Sequence, residues 1–153
     1  DGRAKRWERS ELAFGYRTSA LKRARAAGQG GHVVLAAEFE LVRRDPAECL
    51  ARMDVFTAYR RRTQPPGASL GSMFKNPPGD YAGRLIEAAG LKGLRVGGVE
   101  ISPMHANFFV NSGEARAAEL FALIHQAHTA VKAKFDVDLA LEIELVGEWG
   151  GQC

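Results

Sequence analysis

Two stretches decide the fold: Ala106-Asn107-Phe108-Phe109-Val110-Asn111, and Val137-Asp138-Leu139-Ala140-Leu141-Glu142-Ile143-Glu144-Leu145-Val146. The first is a short apolar run and reads as a buried strand. The second alternates: Val137, Leu139, Leu141, Ile143 and Leu145 face one way, and Asp138, Ala140, Glu142 and Glu144 the other. That period of two is a half-buried strand. Between them Leu120, Ile124, Ala127 and Val131 recur at helical spacing, which predicts a long amphipathic helix ending near Lys134. Strands mixed with helices, including one apolar run, indicate an α/β or α+β fold with a mixed sheet and packed helices.

Upstream, the glycine-rich stretch 91–101 holds a short strand. Asp80 is placed to cap a helix over 81–89, and Gly90 to end it. Residues 71–79 read as a loop or short strand closed by Pro77 and Pro78, and Gln64-Pro65-Pro66-Gly67 breaks the chain before it. Asp45-Pro46-Ala47-Glu48 is a helix start, with a cap carboxylate, a proline at the first helical position and a second carboxylate three residues after the cap. That helix should run to about Arg62 with Leu50, Met53 and Phe56 inward, and Arg60-Arg61-Arg62 suits the negative end of its dipole. Residues 32–42 alternate as a half-buried strand, with Val33, Leu35, Ala37, Phe39 and Leu41 on one face. Residues 1–31 read as irregular apart from a short strand at 4–7, with Gly28, Gly30 and Gly31 marking a loop.

A chain of 153 residues, 46% apolar and 25% charged, is large enough for one globular domain or slightly more. No apolar run is long enough to span a membrane, and no basic-then-apolar leader opens the chain. Cys49 and Cys153 form no CxxC pair and no His/Cys cluster, so no metal site is indicated. Cys49 is expected as a buried apolar thiol and Cys153 as part of an exposed tail, and this cysteine usage fits a reducing cytoplasm. The net charge of +3 is uneven, because residues 1–25 hold eight Lys/Arg against three Asp/Glu. A basic end attracts anions, but no interleaved aromatics or groove-reading helix supports nucleic acid.

Four features point past structure. Gly71-Ser72-Met73-Phe74-Lys75-Asn76-Pro77 gathers a hydroxyl, an ammonium and an amide beside a glycine, which suits an anionic, hydroxyl-rich ligand. A turn with a serine cap explains it equally well. In Phe14-Gly15-Tyr16-Arg17-Thr18-Ser19, Arg17 is a clamp for a carboxylate or phosphate, or a surface arginine stacked on Tyr16. Glu142 is a general acid in a cleft or the wet face of an edge strand, and periodicity does not choose between it and Glu144. In Ser102-Pro103-Met104-His105-Ala106-Asn107, His105 is a ligand contact or a structural histidine. There is no Ser/His/Asp order, no P-loop and no strand-borne GxGxxG.

Together these stretches resemble the UDP-N-acetylenolpyruvoylglucosamine reductase (MurB) family. Residues 14–19 are similar to its F-x-Y-R-x-S element, and 71–77 to its G-S-x-F-K-N-P signature. Tyr81-Ala82-Gly83-Arg84-Leu85-Ile86-Glu87 resembles the A-G-x-L-I-E helix, and Leu91-Lys92-Gly93 with Val96-Gly97-Gly98-Val99-Glu100-Ile101-Ser102 resembles L-K-G and G-G-x-x-V-S. His105-Ala106-Asn107-Phe108 with Asn111, and Leu141-Glu142-Ile143 with Gly147, are similar to H-A-N-F-x-x-N and E-V-x-x-x-G. The likeness runs in order from about Trp7 to Gly147. It implies that residues 1–45 are the end of an FAD-binding domain, 46–147 a substrate-binding domain and 148–153 a tail.

The resemblance further implies an NADPH-dependent flavoenzyme that reduces UDP-N-acetylglucosamine enolpyruvate in peptidoglycan precursor synthesis, with FAD and NADPH as cofactors. It makes Ser72 the proton donor, completes the catalytic group with Arg17 and Glu142 rather than Glu144, and assigns Lys75, Asn76 and His105 to the substrate. It implies no metal, and neither a membrane nor nucleic acid as partner. The family's N-terminal FAD-binding segment, with its G-G-G-S-N loop, has no counterpart in this sequence. Glu144 stands where many relatives carry a basic residue. The tyrosine-bearing insertion of one subtype is also without counterpart, which implies the shorter subtype. The rival expectations are a UDP-sugar-binding module that does not reduce its ligand, and a basic nucleic-acid-binding domain.

Overall fold

The computed structural model describes residues 2–29 and 31–149. Gly30 of the expected glycine loop, and Cys153 with most of the expected tail, lie outside the described residues. The chain divides into two compact units, Asp1–Arg43 and Arg44–Cys153.

The first unit holds two short helices, α1 (Arg9–Leu12) and α2 (Ala20–Ala26), where the sequence reads as irregular. The Glu11 carboxylate accepts from the Glu8 backbone N–H at 2.8 Å, and the Ser19 hydroxyl accepts from the Lys22 N–H at 3.3 Å, so each start is closed by a local cap. Neither expected strand forms. Residues 4–7 and 32–42 meet through side chains, with Trp7 edge-on to His32 at 5.3 Å and Arg6 paired with Glu38 at 2.9 Å, but no ladder joins them. Leu35 and Leu41 are 81% and 85% exposed. Alternation fixes which side chains share a face, whereas a strand also needs a backbone partner for every second peptide, and none is present among the described residues.

In the second unit α3 (Pro46–Thr63) begins as predicted, with Asp45 Oδ1 accepting from the Ala47 and Glu48 N–H groups at 2.8 and 3.2 Å. Its expected inward face is not inward. Leu50, Met53 and Phe56 are all exposed, and Cys49, expected buried, is exposed beside them. At roughly 100° per residue, Leu50, Met53, Val55, Phe56 and Tyr59 spread over about 220° of the helix, too wide an arc to lay on one surface.

The rest of the unit is α+β. Strands β1 (Ala68–Ser72), β2 (Arg95–Val96), β3 (Val99–Ile101) and β4 (Phe108–Asn111) form a sheet of order β1-β4-β3-β2, with every pairing antiparallel. Helices α4 (Ala82–Ala88) and α5 (Ala117–Phe135) pack on each other, and α5 packs on β2 and β3. Met73, Phe74, Leu85, Ile86, Ile101, Leu123, Ile124 and Val131 fill the core. Gly90 ends α4 at φ +81°, as predicted. The β2–β3 turn needs its two glycines. Gly97 sits at φ +53°, and a Cβ on Gly98 would stand 2.7 Å from the Ala115 backbone nitrogen. The Glu119 carboxylate accepts there from the Gly98 and Arg116 N–H groups at 3.1 and 3.0 Å, which draws its pKa down and ties the start of α5 to the turn.

The strand expected over 137–146 contracts to one bridge, Phe74 with Leu141. Of its expected apolar face, Val137, Leu139, Leu141 and Ile143 lie on the core. Toward Val137 the ladder cannot lengthen because the facing segment runs from Lys75 and Asn76 into Pro77 and Pro78, which have no N–H to give.

Candidate active site

The Ser72 segment is shaped by a bulge. Strand β1 pairs Ala68 with Asn111 and Ser69 with Val110, then Ser72 with Phe108, one residue out of register. Gly71 within the slip adopts φ +80°, a backbone that a side chain would strain. Such a bulge bends the strand and re-aims the residue that follows. No atom lies within 4 Å of where a Gly71 Cβ would stand, so a ligand can approach the backbone beside Ser72. Ser72 and Lys75 are half-buried and Asn76 exposed.

Beyond the bulge the chain is pinned on two edges. The Met73 N–H donates to the Asn107 carbonyl at 2.8 Å. The Phe74 N–H donates to Asn107 Oδ1 at 2.9 Å, and Asn107 Nδ2 donates to the Phe74 carbonyl at 2.8 Å. On the other edge the Lys75 N–H donates to the Ala140 carbonyl at 2.8 Å and the Glu142 N–H to the Met73 carbonyl at 2.9 Å. The structure therefore seats Glu142 beside the residue that follows Ser72. Glu142 is half-buried there and Glu144 is exposed, a difference that the alternating pattern does not make.

The other assigned residues brace the neighbouring turn. Asn76 Oδ1 accepts from the Ala82 N–H at 3.1 Å and so closes the first turn of α4. Asp80, the expected cap, instead accepts from the Tyr81 N–H and pairs with Arg84, whose hydrogen bond, more than the backbone one, holds the Asp80 carboxyl near a pKa of about 2. His105 is half-buried, edge-on to Phe108 at 4.9 Å, and its Cε1 would lie 3.1 Å from a Cβ on Gly83. Its Nδ1 accepts from the Asn107 N–H at 3.2 Å, so in the neutral ring the proton sits on Nε2. Ser102, buried, accepts through its hydroxyl from the Met104 and His105 N–H groups at 3.1 and 3.4 Å.

Arg17 belongs to the first unit. Gly15 and Thr18 exchange backbone hydrogen bonds at 3.1 and 3.2 Å, and the tight turn holds Arg17 at φ +54°. Its guanidinium stands 5.4 Å from the Tyr16 ring centre, with both residues exposed. A left-handed conformation at a non-glycine residue costs about 1 kcal/mol, and such strain gathers where a side chain must be presented.

Sequence reasoning assigned no role to Asn107 or Ser102. The available signal was an asparagine inside an apolar run, since a buried carboxamide must find partners for both its oxygen and its nitrogen. Among the described residues no cluster of His, Cys, Asp and Glu can hold a metal, and no helix is long and apolar enough to cross a membrane.

Residues 63–146 match the family model described as UDP-N-acetylenolpyruvoylglucosamine reductase, C-terminal domain. The chain is 54% identical over 140 residues to the UDP-N-acetylenolpyruvoylglucosamine reductase of Chloroflexus aggregans, covering 92% of this chain and 47% of that one. It is 40% identical over 139 residues to a Bacillus licheniformis protein of the same name, covering 90% of this chain and 73% of that one. The crystal structure of the reductase MurB from Thermus caldophilus superposes with a TM-score of 0.69 at 41% identity, over 88% of this chain and 46% of that one. The chain thus spans about half the length of most of these relatives.

Proposed function

The chain belongs to the UDP-N-acetylenolpyruvoylglucosamine reductase family, and from that premise we propose that it is the substrate-reducing part of a cytoplasmic oxidoreductase of peptidoglycan precursor synthesis. The substrate is UDP-N-acetylglucosamine enolpyruvate, the product UDP-N-acetylmuramate, and the cofactors FAD and NADPH. What supports this best is the backbone bond from the Glu142 N–H to the Met73 carbonyl, which brings Glu142 beside the segment that carries Ser72, next to a bulge with open space at Gly71.

That donor set suits the proton and charge handling of the reaction. No side chain can deliver a hydride, and FAD with NADPH would supply one, while these groups handle protons and charge. Within this chain the FAD-facing residues are assigned to 1–45, which carry Arg17 exposed beside Tyr16 on a tight turn. As hydride reaches one carbon of the enolpyruvyl double bond, Ser72 gives its proton to the other. A serine hydroxyl is a poor acid, and a nearby cation such as Arg17 or Lys75 would lower the cost of losing that proton. Negative charge builds toward the substrate carboxylate, which Arg17 stabilises and Glu142 meets as an assisting acid. Lys75, Asn76 and His105 orient the UDP-sugar.

The test separates the half-reactions in the protein at its natural length. Ser72→Ala should leave flavin reduction by NADPH within about twofold and slow flavin reoxidation by the enolpyruvyl substrate by about 100-fold or more, the scale of general acid catalysis. Equal loss of both steps would remove Ser72 as the proton donor. A wild-type protein that binds the UDP-sugar without substrate-dependent NADPH oxidation would favour the binding-module reading.

A further inference from the structure

We infer that Asn107 is a positioning residue for Ser72, its carboxamide standing in for a peptide group that β4 does not supply. This deepens the proposed function and rests on it. Strand β4 pairs with β1 only as far as Ser72–Phe108, because the chain before Phe108 turns away: the Phe108 N–H closes onto the His105 carbonyl at 2.9 Å, and the Asn107 N–H is taken by His105 Nδ1 at 3.2 Å. The Asn107 carbonyl reaches Met73, and there the backbone ladder ends. Phe74 is 1% exposed, so its N–H and C=O need partners inside the protein. The Asn107 side chain, itself 3% exposed, supplies both, accepting at 2.9 Å and donating at 2.8 Å as a neighbouring strand would.

The clamp matters because of what lies on either side of it. Gly71 bends the chain immediately before Ser72, and Asn107 fixes Met73 and Phe74 immediately after. Ser72 is therefore held between a bulge, which sets its direction, and an amide, which stops the bulge from sliding. The clamp on Phe74 adjoins Met73, whose own N–H is held by the Asn107 backbone carbonyl and whose carbonyl receives the Glu142 N–H, so Asn107 bears on both proposed acids. Only asparagine has this reach and this donor–acceptor pair. Aspartate lacks the donor, glutamine is one methylene too long, and leucine lacks both groups. A displacement of about 1 Å at a reacting group can cost on the order of 100-fold in rate.

The experiment uses Asn107→Asp in the protein at its natural length. At neutral pH the introduced carboxylate keeps the bond from Phe74 N–H but faces the Phe74 carbonyl with an acceptor. Flavin reoxidation by UDP-N-acetylglucosamine enolpyruvate should slow tenfold to 100-fold, through kcat rather than KM, with flavin reduction by NADPH within about twofold. Burial raises the pKa of the new carboxyl. Its neutral form has an O–H donor, so lowering the pH should recover the reoxidation step relative to wild type. In Asn107→Leu, which lacks both groups, hydrogen exchange at the Phe74 amide should speed at least tenfold while the Leu123–Val131 stretch of α5 is unchanged. If Asn107→Asp does not fold, Asn107→Gln is read the same way without the acid recovery. Unchanged reoxidation in a folded variant, or equal loss of both half-reactions, overturns the inference. A wild-type protein without the reoxidation step would mean that the proposed function has failed; unchanged Phe74 exchange in Asn107→Leu would then overturn the clamp separately.

Discussion

Helices α3 and α5 are nearly the same length, 18 and 19 residues, and both carry apolar side chains through their middle, yet α5 buries Leu123, Ile124, Ala127 and Val131 while α3 buries none. The difference lies in the arc. Leu120, Leu123, Ile124, Ala127 and Val131 fall within about 100° of one another around α5, and the half-buried Phe121 widens that arc to about 160°, against about 220° for the large apolar residues of α3. A narrow stripe can be laid on a sheet, and a broad one cannot be covered from one side. What holds α3 is local instead: Asp45 at its cap, Pro46 at its first position and Arg60, Arg61 and Arg62 in its last turn. One helix is made by packing and the other by its ends.

If that is right, substitutions in the two helices should fall on different scales. The largest effect belongs to Leu123→Ala. Leu123 is fully buried among Leu85, Ile86 and Ile101, so truncation leaves a cavity where the sheet meets both helices. The unfolding free energy of the 153-residue chain, read from urea titration, should fall by about 2–5 kcal/mol. A loss under about 1 kcal/mol would mean that α5 is not seated by its stripe. The next effect belongs to Asp45→Ala, which orphans the Ala47 and Glu48 N–H groups at the start of α3. It should cost about 1 kcal/mol, visible as lost far-ultraviolet helical signal because α3 has no packing to fall back on. Full retention of that signal would show that something other than the cap sustains the helix.

The same contrast explains what could be read from the sequence. Helix ends were legible, because caps, prolines and terminal glycines act within a few residues: Asp45-Pro46 and Gly90 act where they were expected to. The apolar face of 137–146 was legible too, because alternation sets side-chain direction. Strandedness was not. Residues 32–42 and 137–146 both alternate, but the first has no ladder partner among the described residues and the second has a single bridge, with Pro77 and Pro78 facing its start. Pairing belongs to two segments at once, and no window along one segment contains it. At the candidate site, the glycine, hydroxyl and ammonium of 71–76 stood out by composition. The bulge that aims Ser72 and the amide of Asn107 that locks it depend on β4, more than thirty residues away.

The smallest effect is the sharpest test of the contrast. Phe56 on α3 is 59% exposed although it is among the largest apolar residues of the chain. A truncated core phenylalanine costs about 3–5 kcal/mol. Away from a core the change should stay within about 0.5 kcal/mol, and Phe56→Ala should unfold at nearly the wild-type urea concentration. The measurement should be repeated at two protein concentrations at least tenfold apart. Near-identity at both would confirm that α3 is sustained from its ends. A cost of several kcal/mol that grows with concentration would show instead that Phe56 is buried against another copy, and α3 would join α5 as a helix made by packing.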